Sequence, residues 1–551
     1  MSPSTPIPVL IAGAGPAGLV AALTLLRNGI PVRIIDKEDN FRIGQRGPGI
    51  FPRSLELFHF LEVPEVDEIG KPFNLIQAYK PGTVEPLKTF PMCAYTEPTP
   101  AFPIYNPKMI GQQTLEAILR SHLEKNSTYV ELGSELRSFE QDGDMVRAHV
   151  VKKQGDKEVL ETINARWLIG ADGARGITRK QLGLTFLGET RDDVLLVMGD
   201  IRLVGKGIDR MHYHNFGDLK TATLVLRPTD EVGEDGFQFI LLGQGLNSGN
   251  LTTNKEELYK CLLEMTGTEI EFKELIWASE FRPNIRMVNK FGEGRVFVAG
   301  DAAHVHSPAG GQGLNSGVQD AFNLSWKIAL VEKGISPASL LSTYNTERLP
   351  VIAEMLGITT ELLDRTVGRT ESTQENAFER GQRLYMLGVN YRFSPIVVDE
   401  FTPAGPVNAY GLVQDGRLVA GDRAPDAPDL VDINQGKTKR LFDIFRPAYH
   451  TVLVFAPDPA IAAPLLSAVS QYDSSILRSV VVVPSSSTLP TATGTASDLV
   501  LVDQGGHAYG GYLVKEGETR IVVVRPDGVV GAIVGGVDGV HKYFGQVFST
   551  I

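Results

Sequence analysis

The strongest constraint on the fold is a short apolar run near the N-terminus that ends in a cluster of glycines. Residues 9–12 read Val-Leu-Ile-Ala, which suits a buried parallel strand. The glycine-rich turn that follows permits close approach of the backbone to a pyrophosphate and close packing of helix on strand. An apolar helix over 19–26 comes next, with Gly29 placed to end it, and a second strand ends in Asp36. This order predicts a dinucleotide-binding unit in which Asp36 accepts hydrogen bonds from an adenosine ribose.

Two further glycine segments follow apolar runs later in the chain. Asp172-Gly173 comes after Trp-Leu-Ile-Gly, and Gly300-Asp301 comes after Val-Phe-Val-Ala. The second segment leads into Gly-Gly-Gln-Gly at 310–313. Three segments of this kind, in this order, predict a site that wraps around one long cofactor.

Composition excludes several classes of protein. The 551 residues suggest two to four domains, and the net charge of -12 argues against nucleic acid or an anionic membrane as the main partner. The start of the chain does not resemble a signal peptide and no apolar run has the length of a membrane span, so a cytoplasmic protein is expected. Only Cys93 and Cys261 occur, which excludes a disulfide framework and a Cys-x-x-Cys redox pair. No cluster of His, Cys and carboxylate residues indicates a metal.

The sequence pattern indicates an α/β protein of several domains. Short β-prone runs and one helix over 254–265 indicate a mixed β-sheet domain inserted into a Rossmann-like domain. Apolar residues at three- and four-residue spacing predict helices over 317–332 and 339–356. The predicted parts are the discontinuous Rossmann-like domain (1–182 and 282–400), the β-sheet domain (183–281), a linker (401–415) and a C-terminal α/β domain (416–551).

These motifs resemble those of the FAD-dependent aromatic hydroxylases, the single-component flavoprotein monooxygenases of the para-hydroxybenzoate hydroxylase and phenol hydroxylase type. The resemblance covers residues 7–360 and rests on the N-terminal turn with Asp36, the segment from Asp172 to Arg179, and the segment from Gly300 to Lys327. It implies a Rossmann-like FAD-binding domain with an inserted substrate domain. The C-terminal part resembles the thioredoxin-like domain of the phenol hydroxylase branch, without redox cysteines.

The resemblance implies FAD as the cofactor and gives roles to its ligands. The glycines of the first turn would hold the pyrophosphate, Asp36 the adenosine ribose, and Arg46 would lie close to the phosphates. Gln112 would contact the ribityl chain, and Asp301 would bond a ribityl hydroxyl or a phosphate-bound water. Pro308 would lie beside the flavin ring.

Residues 311–315 would offer backbone N–H groups to the pyrimidine edge of the flavin, where negative charge develops on reduction. The complete set of cofactor-binding candidates is Gly13, Gly15, Ala17, Gly18, Asp36, Lys37, Arg46, Gln112, Asp172, Arg179, Asp301, Pro308, Gly311, Gly313, Leu314 and Asn315.

The Asp172 segment departs from the family pattern. Relatives often carry Ser where this chain has Gly176, so one hydroxyl donor is missing while Asp172 and Arg179 remain. In the family this segment lies near the pyrophosphate and is implicated in the reaction with NAD(P)H. The choice between NADPH and NADH stays open.

The resemblance also implies a reaction cycle. NAD(P)H reduces the flavin, O2 adds to form a flavin hydroperoxide, and its distal oxygen goes to a phenolic or other electron-rich aromatic substrate. The site must exclude water, and a base or cation would assist deprotonation of a phenol. On a regular strand Tyr213 points away from both neighbouring histidines. The catalytic candidates are Pro308, Tyr213, His214 and Arg286, with His212, Arg282 and Tyr105 as further substrate contacts.

Two alternatives stay open. A related flavin monooxygenase could perform decarboxylative hydroxylation, epoxidation or Baeyer–Villiger oxidation on a polyketide-like aromatic, because these enzymes share the FAD scaffold. A non-catalytic flavin-binding interaction protein is the alternative from a different class. The oligomeric state is open between a monomer and a homodimer, and packing or dimerisation is the expected role of the C-terminal domain.

Overall fold

A computed structural model describes residues 6–155, 157–244, 251–370, 373–403, 405–413, 416–487 and 497–549. In the first part of the chain the strands are β1 (Ile7–Ala12), β2 (Val32–Ile35), β3 (Gly49–Ile50), β4 (Lys71–Pro72), β5 (Leu75–Tyr79), β6 (Pro86–Pro91), β7 (Lys108–Met109), β8 (Val130–Glu131), β9 (Ser134–Gln141), β10 (Val146–Gln154) and β11 (Lys157–Gly170). The helices there are α1 (Pro16–Arg27), α2 (Pro52–Phe60), α3 (Glu65–Ile69), α4 (Gln112–Glu124) and α5 (Ile177–Gln181).

The middle of the chain adds β12 (Phe186–Thr190), β13 (Val194–Gly205), β14 (His212–Gly217), β15 (Ala222–Pro228), β16 (Gly236–Gln244), β17 (Ile270–Phe281), β18 (Asn284–Val288), β19 (Gly292–Glu293), β20 (Val296–Val298), β21 (His304–Val305) and β22 (Val398–Asp399). Its helices are α6 (Lys255–Thr266), α7 (Gln312–Glu332), α8 (Ser342–Thr366) and α9 (Gln374–Phe378).

The C-terminal part contains β23 (Leu430–Asp432), β24 (Thr438–Lys439), β25 (His450–Phe455), β26 (Leu477–Pro484), β27 (Leu499–Asp503), β28 (Arg520–Val524) and β29 (Val530–Val534). Its helices are α10 (Ala463–Val469), α11 (His507–Gly511) and α12 (Val537–Val547).

The first sheet has its parallel strands in the order β20-β11-β1-β2-β8, with β19 at one edge and the antiparallel pair β9 and β10 attached to β11. Ala12 pairs with both Gly170 and Ile35, and Gly170 pairs with Val298. The strands therefore end level with one another, and the loops that follow them meet at one edge of the sheet.

The second sheet has the order β17-β13-β16-β15-β14-β5-β6. Because β5 and β6 come from residues 75–91, the first predicted domain segment (1–182) contributes two strands to the substrate domain, which corrects the predicted boundary. β12 falls within the range predicted for the β-sheet domain (183–281), but it pairs with β18 in a small separate sheet. α6 covers one face of the second sheet through Leu258 and Leu262.

The third sheet, of eight strands, forms the C-terminal domain. β22 pairs with β29, so this domain begins before the predicted linker at 401–415, of which 404 and 414–415 lie outside the described residues. Trp326 and Leu330 of α7 share the core of this domain, which joins it to the first domain. The α/β class with its inserted sheet is confirmed, whereas the thioredoxin-like assignment stays a prediction.

Candidate active site

The loops after four parallel strands surround one cleft. β1 is followed by Gly13, β2 by Asp36, β11 by Ala171 and β20 by Ala299. All four residues line the cleft. The cleft has a volume of about 1000 Å³. Open parallel sheets bind their ligands at this edge, and the volume suits a large ligand. The structure thus brings the three glycine segments together.

The first turn needs two of its glycines for packing and leaves one facing the cleft. Gly13 adopts a φ of +105°, and a Cβ there would lie 2.2 Å from the carbonyl oxygen of Ala171. A Cβ at Gly18 would lie 2.0 Å from the carbonyl oxygen of Gly13, so the helix can approach the strand only without a side chain. A Cβ at Gly15 would meet nothing within 4 Å. No side chain caps α1, so its first N–H groups are available to a phosphate.

Asp36 is fixed by the backbone at the mouth of the cleft. Its Oδ2 accepts a hydrogen bond from the Ala14 N–H at 2.8 Å, and its Oδ1 accepts one from the Glu38 N–H at 3.0 Å. A carboxylate has lone pairs beyond these two bonds, which can accept from ribose hydroxyls. Ala17 and Lys37 line the same cleft.

Asp301 lies in the cleft wall and has no hydrogen-bond or ion-pair partner among the described residues. Its carboxyl is accessible from the cleft, yet the surrounding walls displace enough water to raise its pKa, while His304 and Arg42 act in the opposite direction. The exposed carboxylate can accept a hydrogen bond from a partner in the cleft. A ligand hydroxyl or an ordered water would supply it.

The start of α7 forms another wall of the cleft. A 3₁₀ turn over Pro308–Gly310 and Gly311, at a φ of +65°, lead into this helix of 21 residues. No side chain caps it, so its first N–H groups and the positive end of its dipole are directed to a ligand. Pro308, Gly311, Gly313 and Leu314 line the cleft.

Asn315 is turned away from the cleft. Its side chain accepts a hydrogen bond from the Phe51 N–H at 2.9 Å and donates to the carbonyl oxygens of Gly49 and Gly311, both at 2.9 Å. This predicted cofactor residue therefore ties β3 to the head of α7.

Arg179 is also occupied by protein groups. Its Nη1 donates to the carbonyl oxygen of Ala302 at 2.9 Å, and its Nη2 donates to that of Ala174 at 2.6 Å. The guanidinium lies 3.8 Å from the centre of the Phe186 ring. Arg179 thus joins α5 to the turn after β20, and a direct contact with the cofactor or reductant stays a prediction.

Asp172 explains the glycine at 176. Asp172 Oδ2 accepts hydrogen bonds from the Thr178 N–H and hydroxyl, both at 2.9 Å, and so caps α5. A Cβ at Gly176 would lie 2.2 Å from Cγ of Asp172. The missing side chain at 176 is what allows the carboxylate to take this position.

Gln112 is the first residue of α4, and its N–H donates to the carbonyl oxygen of Gln45, the neighbour of Arg46 in the chain. The Arg46 guanidinium is 5.4 Å from the Trp277 ring, its Nε is buried without a partner, and burial lowers its pKa. Gln112 lines the cleft and donates to Glu116 Oε1 at 2.8 Å. Arg46 is not among the described residues that line the cleft, and its predicted contact with the phosphates stays a prediction.

Two clusters of apolar side chains lie beside the Pro308 turn. The residue after Pro308, Ala309, packs on one side against the second sheet and on the other against a group of aromatic rings. We call these two clusters together the aromatic compartment; its side chains include Met198, Ile240, Phe51, Tyr105 and Tyr385.

Tyr213 and His214 lie on opposite faces of β14. Tyr213 packs against Phe378 of α9 and is 6.4 Å from the Phe73 ring. His214 shares a hydrogen bond between its Nδ1 and the Tyr79 hydroxyl at 2.7 Å, and its Nε2 is 2.8 Å from the carbonyl oxygen of Asp209. Both ring nitrogens are occupied, so the geometry gives His214 a packing role.

The remaining substrate candidates are dispersed. Arg286 Nε donates to Asn284 Oδ1 at 2.8 Å, which ties the guanidinium to its own strand. His212 pairs with Asp209 at 2.9 Å near the surface. Arg282 lines the cleft, and Tyr105 belongs to the aromatic compartment.

Arg42 and His306 are among the cleft residues that were missed from the sequence. Arg42 lines the cleft, and its place four residues before Arg46 in the loop after Asp36 could have indicated it. His306 lies between His304 and Pro308, and its Nδ1 donates to the carbonyl oxygen of Ser307 at 2.6 Å. Burial lowers the pKa of His306 to about 4, so the ring is neutral, and its buried Nε2 has no partner.

None of the described helices combines the length and apolar character needed to cross a membrane. Within the same part of the chain, no three His, Cys, Asp or Glu side chains are grouped so that they could hold a metal ion.

Comparison with known proteins agrees with the cleft geometry. Residues 6–359 match the family described as FAD binding domain. A flavin-dependent monooxygenase of Mycobacteroides abscessus is 35% identical over 461 residues, which cover 82% of this chain and 90% of that protein. Pentachlorophenol 4-monooxygenase of Sphingobium chlorophenolicum is 33% identical over 477 residues, covering 81% and 79% of the two chains.

Solved structures show the same fold. The flavin-dependent monooxygenase PieE, in complex with FAD and substrate, has a TM-score of 0.78 at 21% identity and covers 99% of this chain and 100% of its own. Aklavinone-11 hydroxylase, with FAD and aklavinone, has a TM-score of 0.77 at 23% identity and covers 98% of each chain. The resemblance is thereby confirmed, and the chain belongs to the FAD binding domain family of flavin-dependent monooxygenases.

Proposed function

We propose that this chain uses NAD(P)H and O2 to hydroxylate a phenolic or other electron-rich aromatic compound. The observation that carries the proposal is the meeting of the cofactor cleft and the aromatic compartment at the Pro308 turn, at the head of α7. A redox cofactor in the cleft and an apolar ring in the compartment would be neighbours there. The named relatives are monooxygenases, which supports the same class of reaction.

The residues of the cleft fit FAD. The unpaired Asp301 carboxyl, the open space at Gly15 and the two uncapped helix starts are the features that such a ligand would complete. When bound, FAD supplies the electron transfer and the activation of oxygen.

The chain's own groups bind and orient the cofactor. The start of α1 holds the pyrophosphate, Asp36 holds the adenosine ribose, and Asp301 accepts a hydrogen bond from the ribityl chain or from a bound water. The N–H groups at the start of α7 stabilise negative charge at the ring edge. The aromatic compartment excludes water from the reacting ring.

Arg227 is the cation next to the candidate base Tyr213. It is buried, donates to Gln238, and forms no ion pair among the described residues. Burial raises the pKa of Tyr213, and Arg227 lowers it. Burial is the larger of the two influences and keeps the Tyr213 hydroxyl protonated, so the role of Tyr213 as a base stays a prediction.

Exposed cations at the cleft point to the reductant. Arg175, Lys180 and Arg282 line it, and their charge suits the phosphates of NADPH or NADH. A homodimer and a cytoplasmic location stay predictions.

Turnover measurements test the proposed function. Purified protein loaded with FAD should oxidise NAD(P)H and consume O2 faster when phenols are added, and mass spectrometry should find products heavier by one oxygen atom. Stimulation without an oxygenated product, or no stimulation by a broad panel of phenols, hydroxybenzoates and polyketide aromatics, would contradict it.

A further inference from the structure

A second cavity lies between the first domain and the C-terminal domain. It has a volume of about 560 Å³ and shares no wall residue with the cofactor cleft. Its walls come from the loop over 96–105, the segments over 387–392 and 416–425, and α11. The cavity shares Tyr105 with the aromatic compartment, but the reaction described above gives the cavity itself no role.

A row of aromatic rings connects the cavity with the head of α7. Phe102 and Tyr105 line the cavity, and their ring centres are 5.6 Å apart. Tyr105 is 6.4 Å from Tyr385, which is 6.3 Å from Phe51. Phe51 packs against Gly311, where a Cβ would lie 3.2 Å from the ring. The row therefore ends where the flavin ring is expected.

The cavity wall combines apolar surface with a buried cation. The Arg423 guanidinium lies 4.2 Å from the centre of the Phe102 ring, and Arg423 is 5% exposed. Its Nε donates to Glu56 at 2.7 Å and its Nη2 donates to the carbonyl oxygen of Ala101 at 2.9 Å, whereas its buried Nη1 has no partner. Leu387, Leu418 and Leu513 supply apolar walls. Ring faces beside a guanidinium suit an aromatic molecule that carries a hydroxyl or a carboxylate.

We propose that a phenolic ligand first binds in this cavity and then moves along the row of rings to the flavin. The substrate class rests on the proposed function. A site remote from the flavin can bind an apolar ligand while the aromatic compartment stays closed to bulk water. Water next to the flavin would prevent oxygen transfer. The C-terminal domain then contributes to substrate binding, since α11 forms one wall of the cavity.

Gly510 allows the cavity to be filled without disturbing the fold. It lines the cavity from α11, and a Cβ there would meet nothing within 4 Å. Gly545 is a matched control because it lies exposed on α12 of the same domain and its Cβ position is equally open. The variants are Gly510→Trp and Gly545→Trp, with Gly510→Leu as a smaller filling variant in case the tryptophan impairs folding.

Equilibrium dialysis with 2-naphthol, on FAD-loaded protein without reductant, measures binding directly. We expect the Gly510 variant to lose one bound equivalent relative to wild type, and Gly545→Trp to retain it, with flavin absorbance and Tm unchanged in both. Equal numbers of bound naphthol molecules in wild type and in the folded Gly510 variant would overturn the proposal.

Turnover separates this inference from the proposed function. With a phenolic substrate, kcat/KM should fall about tenfold in Gly510→Trp while kcat is retained, because binding is impaired and the chemistry is not. If no aromatic stimulates NAD(P)H oxidation even in wild type, the proposed hydroxylase function fails, and the dialysis result still decides whether the cavity binds aromatic ligands.

Discussion

Polar groups have opposite surroundings in the cofactor cleft and at the joint between the first domain and the C-terminal domain. In the cleft, the Asp301 carboxyl and the Nε2 of His306 have no partner among the described residues. At the joint, the fully buried Glu347 accepts hydrogen bonds from Lys327 at 2.7 Å and from Arg525 at 2.7 and 2.9 Å. Unpaired groups beside a cavity mark the place of a ligand, whereas paired charges without a cavity mark an internal connection.

α7 takes part in both regions. Its start is uncapped and lines the cleft, while Asn323 and Lys327, farther along, donate to Glu347 at 2.7 Å each. Burial opposes ionisation of Glu347, but Arg525 and Lys327 outweigh it and hold its pKa below the usual value. The same helix is thus anchored by charges at one end and left available for a ligand at the other.

The largest effect is expected from Arg525→Met, which removes two hydrogen bonds to Glu347 and leaves buried carboxylates without their main cation. Breaking a buried ion pair on one side costs about 3–5 kcal/mol. Urea unfolding followed by circular dichroism should show this loss. Arg365→Met is the control, because its pair with Glu361 is exposed at 3.9 Å and should change stability by less than about 1 kcal/mol. Equal losses of unfolding free energy in the two variants would show that the buried ion pairs at the joint stabilise the protein no more than an exposed pair.

Asp301→Asn tests the cleft. Because Asp301 has no protein partner, we expect the Tm of the apoprotein to be maintained while FAD binds more weakly. A lost hydrogen bond to a charged group is worth about 1.5–3 kcal/mol, which corresponds to a roughly 10- to 100-fold weaker Kd. Titration of apoprotein with FAD, followed by flavin fluorescence, measures this. Asp458→Asn, in an exposed turn of the C-terminal domain, should bind FAD like wild type.

His450 is the exception that sharpens the comparison, since it is a buried polar ring at the joint with both nitrogens unpaired. Burial, with Arg525 acting in the same direction, lowers its pKa to about 3. In the unfolded chain the imidazole takes up a proton near pH 6.5, whereas in the folded protein it stays neutral at that pH. The free energy of unfolding therefore falls by about 1.4 kcal/mol per pH unit as the pH decreases from 6.5 toward 3.

His450→Phe should abolish this loss. Between pH 6.5 and 5 the variant should gain about 2 kcal/mol relative to wild type, measured as the difference in urea unfolding free energy. His541→Phe, exposed on α12, is the control and should follow wild type across the same range. A parallel pH dependence of His450→Phe and wild type would show that His450 is not the titrating group.

Local signals were sufficient to predict the start of the cleft. The predicted helix over 19–26 lies within α1, and Gly29, at a φ of +73°, follows its end. The turn glycines, the strand after them and Asp36 are adjacent in sequence, so each constrains the next. The helix predicted over 339–356 is the start of α8, which continues to Thr366 because tertiary packing of its later turns overrides their weaker pattern.

Long-range pairing and side-chain direction could not be predicted in the same way. β5 and β6 join the second sheet because β5 pairs with β14, a partner far along the chain whose register no local pattern reveals. The side chains of Arg179 and Asn315 turn toward backbone groups, a direction that the sequence does not reveal. The aromatic compartment could not be predicted, because Phe51, Tyr105 and Tyr385 come from distant segments of the chain.

The charges on α7 also limit how this chain could be shortened in evolution. Asn323, Lys327 and Glu347 are buried. From the other side of the joint, Asp527 accepts a hydrogen bond from Asn323, and Arg525 donates to Glu347. If the C-terminal domain were lost while the first domain was kept, these groups would become exposed or would lack their hydrogen-bond partners. Relatives without the C-terminal domain should therefore carry compensating substitutions at these three positions.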